Sequence, residues 1–220
     1  MKVVKKKPIG IPISSGGAGI SGLCAAYYIQ KEFPDKKIAI LERRMTLGGT
    51  WAFFKYPGFR SDSDMYSFAY SFRPWSKSAR IAMGDDILDY LNGVAKDYKI
   101  REKILYGHGV SCLSFSTEEA KWTVTLDAGG QLSANFVYAC SGYYDYAEGY
   151  TPEFDGIDTF KGLAIHAQDW RDDIEYAGKQ VAHPLTRQLR VISFHSRWLS
   201  SGVALQPSQL CPLWGRRQHM

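Results

Sequence analysis

The stretch Ser15-Gly16-Gly17-Ala18-Gly19-Ile20-Ser21-Gly22 limits what this chain can fold into more than any other. It sets Gly17, Gly19 and Gly22 in a Gly-x-Gly-x-x-Gly pattern. An apolar-leaning run, Ile9 to Ile13, precedes it, and a helix-like run, Ile20 to Phe33, follows. Glu42 closes the unit at the end of Lys37-Ile38-Ala39-Ile40-Leu41-Glu42. Glycines in that pattern also occur in turns of other α/β proteins. Strand, turn, helix, strand and a correctly spaced acid together make a dinucleotide fingerprint. Gly17 permits the tight turn. Gly19 leaves the backbone open to a pyrophosphate, and Gly22 lets the helix pack close to the strand. The helix N-terminus offers free N–H groups and a positive dipole end to phosphates. Glu42 is placed to accept hydrogen bonds from ribose hydroxyls.

The first strand resists this pattern. A parallel strand is covered on both faces and normally reads as a continuous apolar run. Here Pro12 removes a ladder donor, and Ser14 and Ser15 are polar. The central strand is therefore expected to be damaged or shortened.

With 220 residues, 45% hydrophobic and 14% aromatic, the chain can bury a sizeable core in one or two domains. No apolar run approaches the ~20 residues of a membrane span. The N-terminal Met1-Lys2-Val3-Val4-Lys5-Lys6-Lys7-Pro8 has basic residues but no apolar core behind them, unlike a signal peptide. Cys24, Cys112, Cys140 and Cys211 are scattered, without Cys-x-x-Cys, so neither a metal site nor a dithiol pair is expected, and a reducing cytoplasmic setting is.

Lys and Arg number 27 against 22 Asp and Glu, and the whole surplus lies in residues 183–220, which hold five Arg and no Asp, Glu or Lys. No nucleic-acid motif accompanies this basic end, and no nucleic-acid partner is expected.

Along the chain, Ile20, Leu23, Cys24 and Tyr27 follow helical spacing and are expected to face the sheet. Phe33-Pro34-Asp35 ends that helix. Ile38 to Leu41 reads as a second parallel strand, and Arg43 and Arg44 follow as candidate cations for the adenosine side of a cofactor. Residues 47–66 are long, aromatic and poor in periodicity, a pattern of functional loops. Gly48-Gly49 permits close backbone approach there, and Trp51 offers a flat face to a ring. Asp85 is a candidate N-cap for a packing helix with the stripe Ile87, Leu88, Leu91, Val94, Ala95 and Tyr98. Ile104 to Tyr106, Val110 to Phe115, Ala120 to Leu126 and Gln131 to Cys140 read as strands, the last three as a β-meander turning at Asp127-Ala128-Gly129-Gly130. Phe136 to Cys140 is expected to be buried. It ends in Ser141-Gly142, small residues that let backbone run close to a ligand.

The sequence resembles the class B flavoprotein monooxygenases, which comprise Baeyer–Villiger and N-hydroxylating enzymes. The resemblance is carried by Gly17-x-Gly19-x-x-Gly22, Glu42-Arg43, Gly48-Gly49-Thr50-Trp51, Tyr56-Pro57-Gly58-x-Arg60-x-Asp62 and Phe160-x-Gly162-x-x-x-His166-x-x-x-Trp170. The last matches the Baeyer–Villiger fingerprint, except that Arg171 stands where Pro or Asp is usual. The resemblance implies an α/β fold, a Rossmann-like FAD-binding domain with an inserted β-meander, truncated before the NADP domain. Residues 1–8 would be a basic segment, 9–145 the FAD-binding domain, 146–181 a linker with the His166 motif, and 182–220 an aberrant or disordered tail.

It further implies FAD held by Gly17, Gly19, Ser21, Gly22, Glu42, Arg43, Gly49, Thr50, Trp51, Asp62, Val110, Ser141 and Gly142. Val110 would meet the adenine through its backbone. Asp62, along the flavin, and His166, in the linker, would carry catalytic roles. In the full-length family NADPH reduces FAD, and O2 is then used to oxygenate a ketone or a nitrogen or sulfur centre. The expected function is thus the FAD-binding portion of an NADPH-dependent monooxygenase, inactive alone. The alternatives are a non-catalytic FAD-binding module, and a relative of the pyridine nucleotide–disulfide oxidoreductases, whose paired cysteines are missing. The match stops after Gly178-Lys179-Gln180-Val181, where Pro184 and Arg187 do not suit a buried parallel strand. Loss of acids and Lys at that point reads as an out-of-frame segment.

Overall fold

A computed structural model describes residues 12–15, 17–152, 156–184 and 189–193. The expectations for residues 1–8 and for most of the tail lie outside these. The described residues fall into two compact units, one within 1–53, 70–74 and 85–145, the other within 54–69, 75–84 and 146–220.

The first unit is built on a parallel sheet of β1 (Pro12–Ser15), β2 (Ala39–Glu42), β3 (Ile104–Tyr106) and β7 (Phe136–Val137), in the order β3-β2-β1-β7. Helix α1 (Ile20–Glu32) joins β1 to β2, which completes the strand–turn–helix–strand unit read from the glycines. β1 lies inside the sheet, yet it includes Ser14 and Ser15. Pro12 begins the strand, the position at which its missing N–H costs least. The described strand is four residues long and runs into the glycine turn.

In α1 the fully covered residues are Gly22, Leu23 and Ala26, of which Leu23 belongs to the expected stripe. Cys24 and Tyr27 are half-buried. Tyr27 stacks on Phe72 at 3.6 Å, with Tyr98 edge-on at 4.8 Å. Aromatic pairs of this geometry add to what burial alone contributes. The helix stops where expected, with the Phe33 N–H donating to the Ile29 carbonyl.

Residues 47–68 are less irregular than their sequence suggests. They contain two single-turn helices, α2 (Thr50–Phe53) and α3 (Met65–Phe68). Helix α4 (Gly84–Asp97) starts one residue before Asp85, which therefore sits in the first turn instead of capping it. Its periodic face is covered as read: Ile87, Leu91, Val94 and Ala95 are fully buried.

The meander is β4 (Val110–Ser116), β5 (Lys121–Leu126) and β6 (Gln131–Ala134), all antiparallel. The strand expected over 131–140 breaks at Asn135. Its first part stays in the meander, and its second part, β7, joins the parallel sheet beside β1. β7 is two residues long and Phe136 is 74% exposed, so the expected buried strand is not formed. Among the described residues β7 pairs on one side only, and an edge leaves its side chains uncovered.

Alternation along β2 divides the core. Ala39 and Leu41 pack with Val124 and Ala134 of the meander, and Val110, Leu126 and Val137 join them. Ile40 and Glu42, equally buried, fall on the opposite face.

In the second unit, β8 (Gln180–Pro184) and β9 (Leu189–Ser193) pair as an antiparallel hairpin. Pro184 ends its strand, where a missing donor is tolerated. No helix among the described residues is long and apolar enough to cross a membrane.

Candidate functional site

The glycine turn sits where β1 and β2 end and where the sheet order reverses, since the chain moves from β1 to β2 on one side and to β7 on the other. Open α/β sheets bind ligands at such a switch point. The Gly17 N–H donates to the Leu41 carbonyl at 3.2 Å, which ties the turn to β2. Gly19 is the N-cap of α1, with φ −87° and ψ −171°, and no side chain caps the helix. Its first N–H groups therefore keep their donor capacity for a ligand.

A second glycine loop closes on the first. The Gly48 N–H donates to the Ala18 carbonyl at 2.8 Å. A Cβ on Gly49 would lie 3.0 Å from the Gly19 Cα, and one on Gly19 would lie 3.5 Å from the Gly49 Cα. Gly48 and Gly49 both have positive φ, +122° and +57°, and a Cβ on Gly48 would strike Leu88 of α4. The two loops are thus held backbone to backbone, and α2, with Thr50 and the half-buried Trp51, springs from the second.

Glu42 is 2% exposed and holds this arrangement from below. Its Oε2 accepts the Ala18 N–H at 2.9 Å. Its Oε1 accepts the Arg44 N–H at 3.0 Å and lies 3.6 Å from the Arg44 Nε. Expected as a ribose ligand, Glu42 is thus also a structural anchor of the glycine turn. An ionised carboxylate has about four acceptor positions, so it keeps capacity for one more donor. Arg44 also lies over the Phe53 ring at 5.2 Å.

Arg43 takes the other direction, toward the Val110 carbonyl at 3.3 Å and the Asp127 Oδ2 at 3.1 Å. Val110, expected at the adenine, begins β4 at the same end of the sheet. The sequence marks Asp127 only as a turn residue, and its contact with Arg43 has no local sequence signal. Ser141 and Gly142, exposed and with Gly142 at φ +77°, follow β7. β7 runs parallel to β1, so its chain leaves the sheet at that same end. Ser21, in the first turn of α1, is exposed. Tyr70, another residue without a sequence signal, donates its hydroxyl to the Ile20 carbonyl at 2.5 Å. Burial, with Cys24, Tyr90 and Cys140 nearby, pushes its phenol up, so it stays neutral and a donor.

Asp62 and His166 belong to the second unit. Asp62 is exposed, and its Oδ1 accepts a 3.5 Å contact from the Ser63 hydroxyl. His166 caps a short 3-10 turn, its Nδ1 accepting the Gln168 N–H at 3.2 Å. Its ring lies on Gly149, where a Cβ would overlap it. Phe160 folds over Gly162 in the same manner, and Trp170 meets Tyr176 edge-on. The glycine of the Phe-x-Gly motif thus makes room for an aromatic ring.

In this unit Asp64 caps α3 by accepting the Tyr66 N–H at 2.7 Å and pairs with Arg80 at 2.9 Å. The Arg80 hydrogen bond first, then the Tyr66 N–H, holds its carboxyl below the ordinary value of 3.8. Whatever this carboxylate adds to stability is present above that ordinary value and is lost as pH falls through the depressed one. Carboxyl NMR titration should place Asp64 below 3.8, and Arg80→Ala should raise its midpoint. An unchanged midpoint in that variant would contradict the pairing.

Fold and glycine turn together define a Rossmann-like dinucleotide-binding domain, and a family described as NAD(P)-binding Rossmann-like domain matches residues 16–80. More specifically, the chain is similar to FAD-containing monooxygenases. It is 46% identical over 168 residues to FAD-containing monooxygenase EthA of Mycolicibacterium smegmatis, covering 75% of this chain and 34% of that protein. It is 44% identical over 170 residues to the putative FAD-containing monooxygenase MymA of Mycobacterium tuberculosis, with the same coverage. Among solved structures it is similar to an oxidised steroid monooxygenase bound to NADP, with a TM-score of 0.65 and 29% identity over 78% of this chain and 33% of the other. It also resembles cyclohexanone monooxygenase with bound ε-caprolactone, with a TM-score of 0.66 and 25% identity, again over 78% of this chain and 34% of the other. The chain spans about a third of the length of these relatives.

Proposed function

We propose that this chain is the FAD-binding portion of an NADPH-dependent flavoprotein monooxygenase. The observation that carries the reading is the pairing of the two glycine loops, Gly17–Gly22 and Gly48–Gly49, over the buried Glu42 at the switch point of the sheet. The residues present fit such a cofactor. The N-terminus of α1 has no side-chain cap, and nothing but the Gly49 backbone lies within 4 Å of a Cβ placed on Gly19.

Gly17, Gly19, Ser21 and Gly22 would receive the pyrophosphate on backbone N–H groups and the helix dipole. Glu42 would use its remaining acceptor position for the adenosine ribose, with Arg43 and the Val110 backbone beyond it. Gly49, Thr50, Trp51, Ser141 and Gly142 would line the dinucleotide. Bound flavin would supply the oxygen chemistry, while the protein contributes orientation and electrostatics. Asp62 and His166 would take the catalytic positions that the resemblance gives them. The substrate class is a small ketone or a nitrogen or sulfur centre, with O2 as co-substrate, in the cytoplasm.

The sequence holds one Gly-x-Gly-x-x-Gly, and reduction by NADPH requires a second nucleotide site. The purified chain should therefore show flavin absorbance bands after incubation with FAD, and no NADPH-dependent oxygen consumption. Failure to retain FAD would overturn the reading. Steady, ketone-stimulated NADPH oxidation would overturn the claim that this portion is inactive alone.

A further inference from the structure

We propose that Asp127 is a positioning residue for the adenosine end of the dinucleotide, acting through Arg43; the inference rests on the FAD-binding reading above.

The argument begins with alternation. Ala39 and Leu41 of β2 face the meander, and Arg43 is the next residue in that phase. Its side chain therefore crosses to the meander, while Glu42 turns to the glycine loop and Arg44 returns to Glu42. Backbone hydrogen bonds knit the segments Arg43 reaches. The His108 N–H donates to the Glu42 carbonyl at 2.9 Å, and the Asp127 N–H donates to the Gly109 carbonyl at 2.9 Å. The guanidinium then spans the Val110 carbonyl and the Asp127 carboxylate.

The pair lies directly on Gly109. A Cβ there would fall on the Asp127 Oδ2 and 2.9 Å from the Arg43 Nε. Ends of three segments distant in sequence thus fix one planar cation at the meander side of β2, one residue past the carboxylate expected to hold the ribose. An arginine plane so placed can stack on a purine and hydrogen-bond its edge. Without Asp127, a side chain 64% exposed would lose the anion it meets among the described residues. Asp127 touches no nucleotide in this scheme. It fixes the plane that does.

The test is titration of the full chain with FAD, ADP and FMN, using wild type, Asp127→Asn, Arg43→Gln and the double variant. Both side chains are well exposed, so these changes leave the fold intact. Asp127→Asn should weaken FAD and ADP binding about threefold at low salt, in keeping with the modest worth of an exposed ion pair. The difference should shrink at high salt. FMN, which lacks the adenosine, should bind the variant and the wild type equally. In the Arg43→Gln background Asp127→Asn should add nothing. Gly109→Ala should reproduce the Asp127→Asn effect by pushing the carboxylate aside while keeping both charges. Unchanged FAD affinity in Asp127→Asn, an equal loss in the Arg43→Gln background, or an equal loss for FMN would each overturn the inference alone. A wild-type chain that binds neither FAD nor ADP would overturn the site reading and this inference with it.

Discussion

Gly19→Val is expected to abolish flavin retention while leaving the fold in place. Gly19 has φ −87° and ψ −171°, extended backbone that valine adopts without strain. The helix behind it should therefore form. The obstacle is space on the ligand side. A Cβ at Gly19 already sits at contact distance, 3.5 Å, from the Gly49 Cα. The two further methyls of valine must go toward the second glycine loop or in front of the N-terminal N–H groups of α1. Overpacking of this kind costs up to about 3 kcal/mol, which corresponds to roughly a hundredfold in FAD affinity. Circular dichroism would establish the fold, and flavin absorbance after desalting would establish retention. A folded Gly19→Val chain that keeps its flavin would show that the phosphates do not pass this residue.

Glu42→Ala is expected to lower stability more than any change at an exposed position of the site. Glu42 is 2% exposed, and its carboxylate serves the Ala18 N–H on one oxygen and Arg44 on the other. Removing it leaves the Ala18 N–H buried beneath the glycine turn without that acceptor, and Arg44 without its anion. Breaking a buried charge pair costs about 3–5 kcal/mol. Arg44 is partly exposed, so the lower end applies, a fall of roughly 6–12 °C in Tm for a chain this long. Glu42→Gln keeps one acceptor of the same shape and should lose less. Thermal melts of the two variants without flavin separate this anchoring role from ligand binding. Equal Tm for wild type and Glu42→Ala would refute it.

How much of this could be read from the sequence depends on whether the signal was local. Helix α4 announces itself because Ile87, Leu91, Val94 and Ala95 repeat at its own period, and all four are buried. β3 was legible to the residue, over Ile104–Tyr106. β1 was not, since Ser14 and Ser15 join it through pairing with Ile40 and Leu41 that outweighs their polarity. The break at Asn135 has no signature within its run, because it answers to which sheet each half pairs with. At the site, the glycines and Glu42 were legible as a fingerprint. The second task of Glu42, holding Ala18, was not, nor was the destination of Arg43. That destination depends on Gly109, Val110 and Asp127, which only the folded chain brings together.

The alternating phase of β2 makes the site sensitive to counting. Ala39, Leu41 and Arg43 share one side, and Ile40, Glu42 and Arg44 the other. Inserting a single residue ahead of Glu42 would exchange the two sides, sending the carboxylate to the meander and the Arg43 guanidinium beneath the glycine turn, with every residue type preserved. An insertion of two would restore the order of sides. Parity in this strand therefore matters to the placement of charge as much as composition does, and length changes here should be harder for such a protein to accommodate than many substitutions.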